Sequence, residues 1–85
     1  MPVISRFLGI MIYMYWRDHS PPHFHAKYSG EEVEIDIATG AVSGRMSPRA
    51  LGLMQEWREL HKAELLADWE LASQRKELRD IPPLE

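Results

Sequence analysis

The sequence contains no cysteine. Disulfide bonds and thiolate metal sites are therefore excluded, and such a chain is typical of a reducing compartment, so we expect a cytoplasmic protein. Only one long apolar run is present, from Phe7 to Trp16, and it is much shorter than the about 20 residues that a membrane span needs. We interpret this run as one buried strand and expect no membrane contact.

A strong charge of either sign is also lacking, because the formal net charge is -3. Nucleic-acid-binding proteins usually carry a basic surface, so nucleic acid stays open as a partner but is not favoured by charge. The chain has only 85 residues, which indicates a single domain, 1–85. A core this thin leaves room for an open surface site rather than a deep pocket.

The first part of the chain, residues 1–46, has the pattern of β-strands. After Ser20-Pro21-Pro22, apolar and polar residues alternate from His23 to Tyr28 and again along residues 31–37, as in strands with one buried face. Glycines at Ser29-Gly30 and Thr39-Gly40 are typical of tight turns. We therefore predict an antiparallel meander of three or four strands.

Two-residue turns at both places would also fix the register of the strands. Lys27 would then lie opposite Glu32, His25 opposite Glu34 and His23 opposite Asp36. On the next hairpin Glu34 would face Arg45, and Asp36 would face Ser43. Opposite charges meet at most of these positions, which favours the register because cross-strand ion pairs stabilise a sheet.

Residues 47–76 have the pattern of helices, and a tail follows at 77–85. Ser47 is a good N-cap and Pro48 suits the first helical turn. An unbroken helix from Pro48 to Lys76 would be about 42 Å long, which exceeds the width of so small a domain. Either one long helix projects or two helices form, and we favour a break near His61-Lys62. The predicted fold class is α+β, with one or two C-terminal helices packed on one face of the sheet.

Histidines dominate the candidate chemistry. His23 and His25 project from the same side of a strand, and imidazoles at that spacing can bind one metal ion. His19 or Asp18 could fold back over the prolines as a third ligand. We therefore predict a divalent-metal site, zinc for example, at His19, His23 and His25.

Two alternatives stay open for these histidines. His23 and His25 could act as metal-free catalytic groups, because histidine beside a carboxylate transfers protons near neutral pH. They could also form ordinary cross-strand pairs with the acidic residues of the next strand.

Two further candidate sites lie in or near the helical part. Arg45 and Arg49 could bind an anion at the start of the first helix. Trp57 and Trp69 lie on an apolar helical stripe that either packs in the core or binds a partner protein, because aromatic residues are common at interfaces.

The string Pro21-Pro22-His23-Phe24-His25 resembles that of a family of small bacterial proteins, domain of unknown function 4160. Further likenesses cover nearly the whole chain: Ile4-Ser5-Arg6-Phe7, Gly9-Ile10, Asp18-His19, Thr39-Gly40, Gln55-Glu56-Trp57, Glu59-Leu60-His61, Trp69-Glu70 and Ile81-Pro82-Pro83-Leu84. Members are often encoded beside a second small uncharacterised domain, so the resemblance implies a toxin–antitoxin-like or regulatory pair.

Two functions from different classes follow. The first is a small binding or regulatory module that acts with a cognate partner protein, with self-association left open. The second is a histidine-based nuclease or hydrolase, with or without a metal, in which Arg45 or Lys27 stabilises phosphate charge. The acidic residues that would lie beside the histidines repel phosphate and weigh against RNA.

Overall fold

A computed structural model describes residues 2–85 of the protein. It contains five strands and two helices in the order β1 (Val3–Phe7), β2 (Ile10–Tyr13), β3 (His23–Tyr28), β4 (Glu31–Asp36), β5 (Val42–Gly44), α1 (Pro48–Leu60) and α2 (Lys62–Ser73). The strands form one antiparallel sheet in sequence order. The predicted α+β meander with C-terminal helices is confirmed, but the sheet has five strands rather than three or four.

The apolar run from Phe7 to Trp16 is not one strand as predicted, because Phe7 ends β1 and a second strand, β2, begins at Ile10. It is interrupted by Leu8 and Gly9, whose φ angles of 51° and 84° are those of a tight hairpin turn with a left-handed backbone. Phe7 consequently pairs with Ile10. The alternation could not reveal this turn, because apolar residues occupy both faces on either side of it.

The predicted β3–β4 register is confirmed. His23 pairs with Asp36, His25 with Glu34 and Lys27 with Glu32. The turn at Ser29-Gly30 is the expected two-residue turn, and both of its residues have positive φ angles.

The predicted β4–β5 register is wrong by two residues. Glu34 pairs with Ser43 instead of Arg45, because the connection is longer than a two-residue turn. Asp36 organises this loop: its carboxylate accepts the Thr39 backbone N–H, and its own backbone N–H donates to the Ala41 carbonyl. A shift of two residues keeps every side chain on its predicted face, but it leaves Arg45 beyond the end of β5.

The helical part divides where the sequence predicted. The Ser47 hydroxyl caps α1 by accepting the Ala50 backbone N–H, and Pro48 occupies the first turn. His61 lies between the helices with φ −121°, outside helical geometry, and α2 begins at Lys62. The second helix ends at Ser73, three residues before the predicted end at Lys76. Within residues 2–85, no helix is both long and apolar enough to cross a membrane.

The core lies between one face of the sheet and the helices. Trp57 is fully buried there, with its ring centroid 5.4 Å from that of Phe7 and 5.8 Å from that of Phe24. The tail closes the same core: the Ile81 backbone N–H donates to the Ile4 carbonyl, and the Trp57 indole N–H donates to the Pro82 carbonyl. The tail is thus a structural part of the domain.

Candidate functional site

The loop between β2 and β3 places Asp18 over the face of the sheet that lies opposite the core. Arg17 has a left-handed backbone, φ 55°, and its N–H donates to the Ala72 carbonyl at the end of α2. The following Asp18 lies five residues before His23, and Ser20-Pro21 is a cis peptide. The chain folds back in this loop, and Asp18 reaches the side chains of His23 and His25 on β3.

Asp18 connects two histidines. Its Oδ2 atom lies 2.9 Å from Nε2 of His23 and 3.1 Å from Nε2 of His25. Its Oδ1 atom accepts the His19 backbone N–H at 2.8 Å. We call Asp18, His23 and His25 the Asp–His–His cluster.

His23 is the buried member of the cluster, with 3% of its surface exposed. Its Nδ1 atom lies 2.8 Å from the Pro21 carbonyl oxygen, and a carbonyl can only accept, so this nitrogen carries a proton. Its ring centroid lies 5.1 Å from that of Trp69. His23 therefore has a fixed ring orientation with Nε2 directed at Asp18.

His25 is held between two tyrosines. Its ring stacks on Tyr13, with centroids 5.2 Å apart, and Tyr15 meets it edge-on at 4.7 Å. Tyr13 is fully buried, whereas Tyr15 is 41% exposed. The cluster thus has an aromatic wall on one side and lies next to a shallow depression that includes Tyr15, His25 and Glu34.

Asp18 is held in its ionised form. Partial burial alone would raise the pKa of its carboxyl group. The hydrogen bonds from His25 and from the His19 backbone N–H, together with the charge and hydrogen bond of His23, outweigh burial and lower that pKa from its ordinary value of 3.8. A carboxylate kept ionised in this way is a good partner for a proton or a cation.

Two groups of side chains have the geometry of a metal-ligand set within residues 2–85. The first is the Asp–His–His cluster, and the second consists of His19, His23 and Glu34; in each, the ligand atoms all lie within 4.8 Å of one another. The predicted set of His19, His23 and His25 is therefore divided. His19 stacks on His23 but is mostly exposed.

The acidic residues opposite the histidines, Asp36 and Glu34, interact with them less closely than the β3–β4 register predicts. Asp36 lies opposite His23, but its carboxylate accepts the Thr39 backbone N–H instead. This hydrogen bond is the largest cause of the lowered pKa of Asp36, and it outweighs a slight desolvation. Glu34 comes no closer than 3.7 Å to Nε2 of His23. The histidines are thus paired with a loop aspartate rather than with the neighbouring strand.

Among the remaining predicted site residues, Trp69 packs against His23. Arg45, Arg49 and Trp57 lie away from the cluster. Trp57 is completely buried, so its ring is a core residue and the prediction of a partner-binding surface there is wrong. Arg45 and Arg49 are exposed, and among the described residues neither forms an ion pair. Within residues 2–85, no hydrogen bond or ion pair brings these two side chains together as an anion site.

Sequence reasoning missed two parts of this region. Tyr13 and Tyr15 were assigned to a strand, and nothing in their pattern signals contact with His25. Asp18 was considered only as an alternative ligand. The sequence does carry one signal, because Pro21 and Pro22 interrupt strand pairing and thereby place Asp18 in a loop directly before β3.

The comparisons with known proteins give a family match alone. No curated protein and no solved structure matched the chain. One family model, described as a domain of unknown function, matches residues 9–70, which include the Asp–His–His cluster and both helices up to Glu70. Because the match spans well over half of the sequence, the chain belongs to the DUF4160 family.

Proposed function

We propose that the protein is a small binding or regulatory module that acts with a cognate partner protein, as in a toxin–antitoxin-like pair. The bacterial origin and the cytoplasmic location belong to the same proposal. The partner would bind the polar face of the sheet, at the depression lined by Tyr15, His25, Glu32, Glu34 and Ser43, which we call the sheet-face groove.

The observation that carries the proposal is the exposed aromatic edge of this groove. Tyr15 lines the groove and is 41% exposed, although it lies only two residues beyond the mostly buried strand β2. Exposed aromatic side chains beside a polar depression are typical anchors of protein interfaces. The groove is too shallow to enclose a small substrate, so a protein surface fits it better.

The charge of the groove indicates the chemistry of the partner. Glu32 and Glu34 line it, and no lysine or arginine does. Complementary charge favours specific association, so we expect a basic side chain of the partner between these carboxylates. The same charge disfavours a nucleic-acid backbone.

A photocrosslinking experiment in cells of the source organism tests this proposal. A photoreactive phenylalanine derivative replaces Tyr15, and in a matched control it replaces Leu60, which is 65% exposed on α1. We expect one discrete protein adduct from position 15 and none of the same mass from position 60. Charge reversal by Glu32→Lys with Glu34→Lys should reduce that adduct at least about tenfold, since each like-charge contact costs on the order of a kcal/mol or more. The same adduct from both positions, or one insensitive to charge reversal, contradicts the proposal.

A histidine-based hydrolase is the second candidate. It is favoured by one observation: two imidazoles share an ionised carboxylate, which is an arrangement suited to proton transfer. The proposed phosphate-stabilising residues give it less support, because Arg45 lies beyond β5 and Lys27 lies over the Tyr13 ring at 5.5 Å.

Cleavage assays on phosphodiester and ester substrates separate the two candidates. A hydrolase should lose nearly all activity in His25→Gln, a partly exposed position that the fold should tolerate. The wild-type protein and a His61→Gln control, changed at the junction of the two helices, should retain it. Absence of wild-type activity, or equal activity in His25→Gln, removes the hydrolase.

A further inference from the structure

We propose that Asp18, His23 and His25 bind one divalent transition-metal ion, with zinc as the best fit, through a carboxylate oxygen and the two Nε2 atoms. This inference does not depend on a partner protein. It replaces His19 by Asp18 in the predicted ligand set.

The two ring nitrogens of His23 have different hydrogen-bond partners. Its Nδ1 atom carries a proton, because it faces the Pro21 carbonyl. In the neutral ring, Nε2 then has only a lone pair, and that lone pair faces Oδ2 of Asp18 at 2.9 Å. Two electron-rich atoms at this distance repel each other unless a proton or a cation lies between them.

His25 directs a second nitrogen at the same oxygen. Its Nε2 atom lies 3.1 Å from Oδ2 of Asp18. No hydrogen bond to its Nδ1 atom exists among the described residues, so this nitrogen is free to take the proton when Nε2 turns to a metal. The two nitrogens and the carboxylate oxygen lie within 4.8 Å of one another, so a single cation could bind all three in place of the two hydrogen bonds.

The surroundings of His23 are those of a metal-binding histidine. Such a histidine usually donates its other ring N–H to a carbonyl or carboxylate, which fixes the tautomer and the ring orientation. The Pro21 carbonyl has this role here, and the loop of Pro21 and Pro22 holds it rigidly. The Tyr13 ring fixes the plane of His25 in a similar way.

The spacing suits a tetrahedral ion with slight expansion. Ligands at 2.0–2.1 Å from a tetrahedral ion lie about 3.3 Å apart, and the two nitrogens lie 2.9 and 3.1 Å from the shared oxygen. Each of these two nitrogen–oxygen distances is a few tenths of an ångström shorter than the tetrahedral value. Two imidazoles and one carboxylate favour zinc over magnesium or calcium, which prefer oxygen ligands.

The fourth position lies toward Glu34. Its Oε1 atom is 3.7 Å from Nε2 of His23, so it is close enough to complete the site after a small side-chain movement or through water. His19 is less suited to the third position because 70% of its side chain is exposed and its ring lies against His23.

Calorimetric titration of zinc chloride into the untagged protein tests this site, with cobalt absorption as a second readout of tetrahedral ligation. We expect one ion per chain and at least about tenfold weaker binding in Asp18→Asn, since even outer residues of zinc sites change affinity 10–100-fold.

Matched variants make the outcome decisive. His61 pairs with Glu64 at the helix junction as a second histidine–carboxylate pair, so His61→Gln should leave binding unchanged, as should His19→Ala. Circular dichroism checks that Asp18→Asn is folded, and His25→Gln gives an independent loss of one ligand. Binding that survives both Asp18→Asn and His25→Gln, or that disappears in His19→Ala, overturns the proposal. So does the absence of zinc binding to the wild-type protein.

Discussion

His23 lies directly opposite Asp36 in the β3–β4 ladder, yet its Nε2 atom lies 2.9 Å from Oδ2 of Asp18. The carboxylate of Asp36 is instead hydrogen-bonded to Thr39 in the turn that follows β4. The loop residue Asp18 binds His23 in its stead. This exchange turns an ordinary cross-strand pair into a cluster in which one carboxylate serves two histidines.

Asp68 gives a pH-dependent prediction that is independent of the cluster. It is buried, and although the Arg79 backbone N–H binds its Oδ1 atom, no group among the described residues binds Oδ2. Burial, the largest cause, raises the pKa of Asp68 above its ordinary value of 3.8. The folded protein therefore holds this proton more tightly than the unfolded chain, and Asp68 contributes a loss of stability as pH rises from 3.8 through its raised pKa.

The measurement is urea unfolding of the wild-type protein and of Asp68→Asn at several pH values from about 3 to 6.5. Because Asn does not titrate, the stability of the wild-type protein relative to the variant should fall across this range and then level off. A difference that is constant with pH, or that grows in favour of the wild type, would show that Asp68 is not held neutral by burial.

Gly44 tests the corrected β4–β5 register. Its φ angle is 106°, and a Cβ atom there would lie 2.8 Å from the Glu32 carbonyl oxygen. Gly44→Ala should therefore lower the free energy of unfolding by about 1–3 kcal/mol. Gly52→Ala is the matched control: its added Cβ meets nothing within 4 Å on α1, and alanine should stabilise the helix by about 0.5–1 kcal/mol. Equal effects at the two positions contradict this register.

Ile81 tests the packing of the tail. It is 4% exposed in the core cluster, whereas Leu60 is 65% exposed. Ile81→Ala should destabilise the protein by about 2–4 kcal/mol, and Leu60→Ala should stay within about 0.5 kcal/mol. Chemical denaturation measures both. A small effect at Ile81 would mean that the tail does not complete the core.

The strand and helix pattern could be predicted where the local signals in the sequence agreed with one another. Alternation, the Ser29-Gly30 turn and opposite charges together fixed the β3–β4 register, and the length of residues 48–76 against the size of the domain fixed the break near His61. The Leu8-Gly9 turn could not be recognised, because apolar residues on both faces hide a change of strand. The loop after Asp36 also differed from expectation, because a side-chain hydrogen bond to Thr39 replaced the two-residue turn.

One part of the candidate site could be predicted because it depends on local spacing alone. Local spacing places His23 and His25 on one face, which needs no tertiary information. The selection of Asp18 over His19 depends on how the loop is anchored to the end of α2 through Arg17, and that is a long-range contact. Burial of Trp57 likewise depends on the tail and on both Phe7 and Phe24.

The Asp–His–His cluster as a metal site is the central claim, and anomalous diffraction tests it most directly. Crystals of the untagged protein grown with zinc are measured on both sides of the zinc absorption edge. The account predicts an anomalous peak about 2.0–2.1 Å from Nε2 of both His23 and His25, with the Asp18 carboxylate as third ligand. Zinc found only between His19 and Glu34, or only at other surface positions while the cluster stays empty, would contradict it.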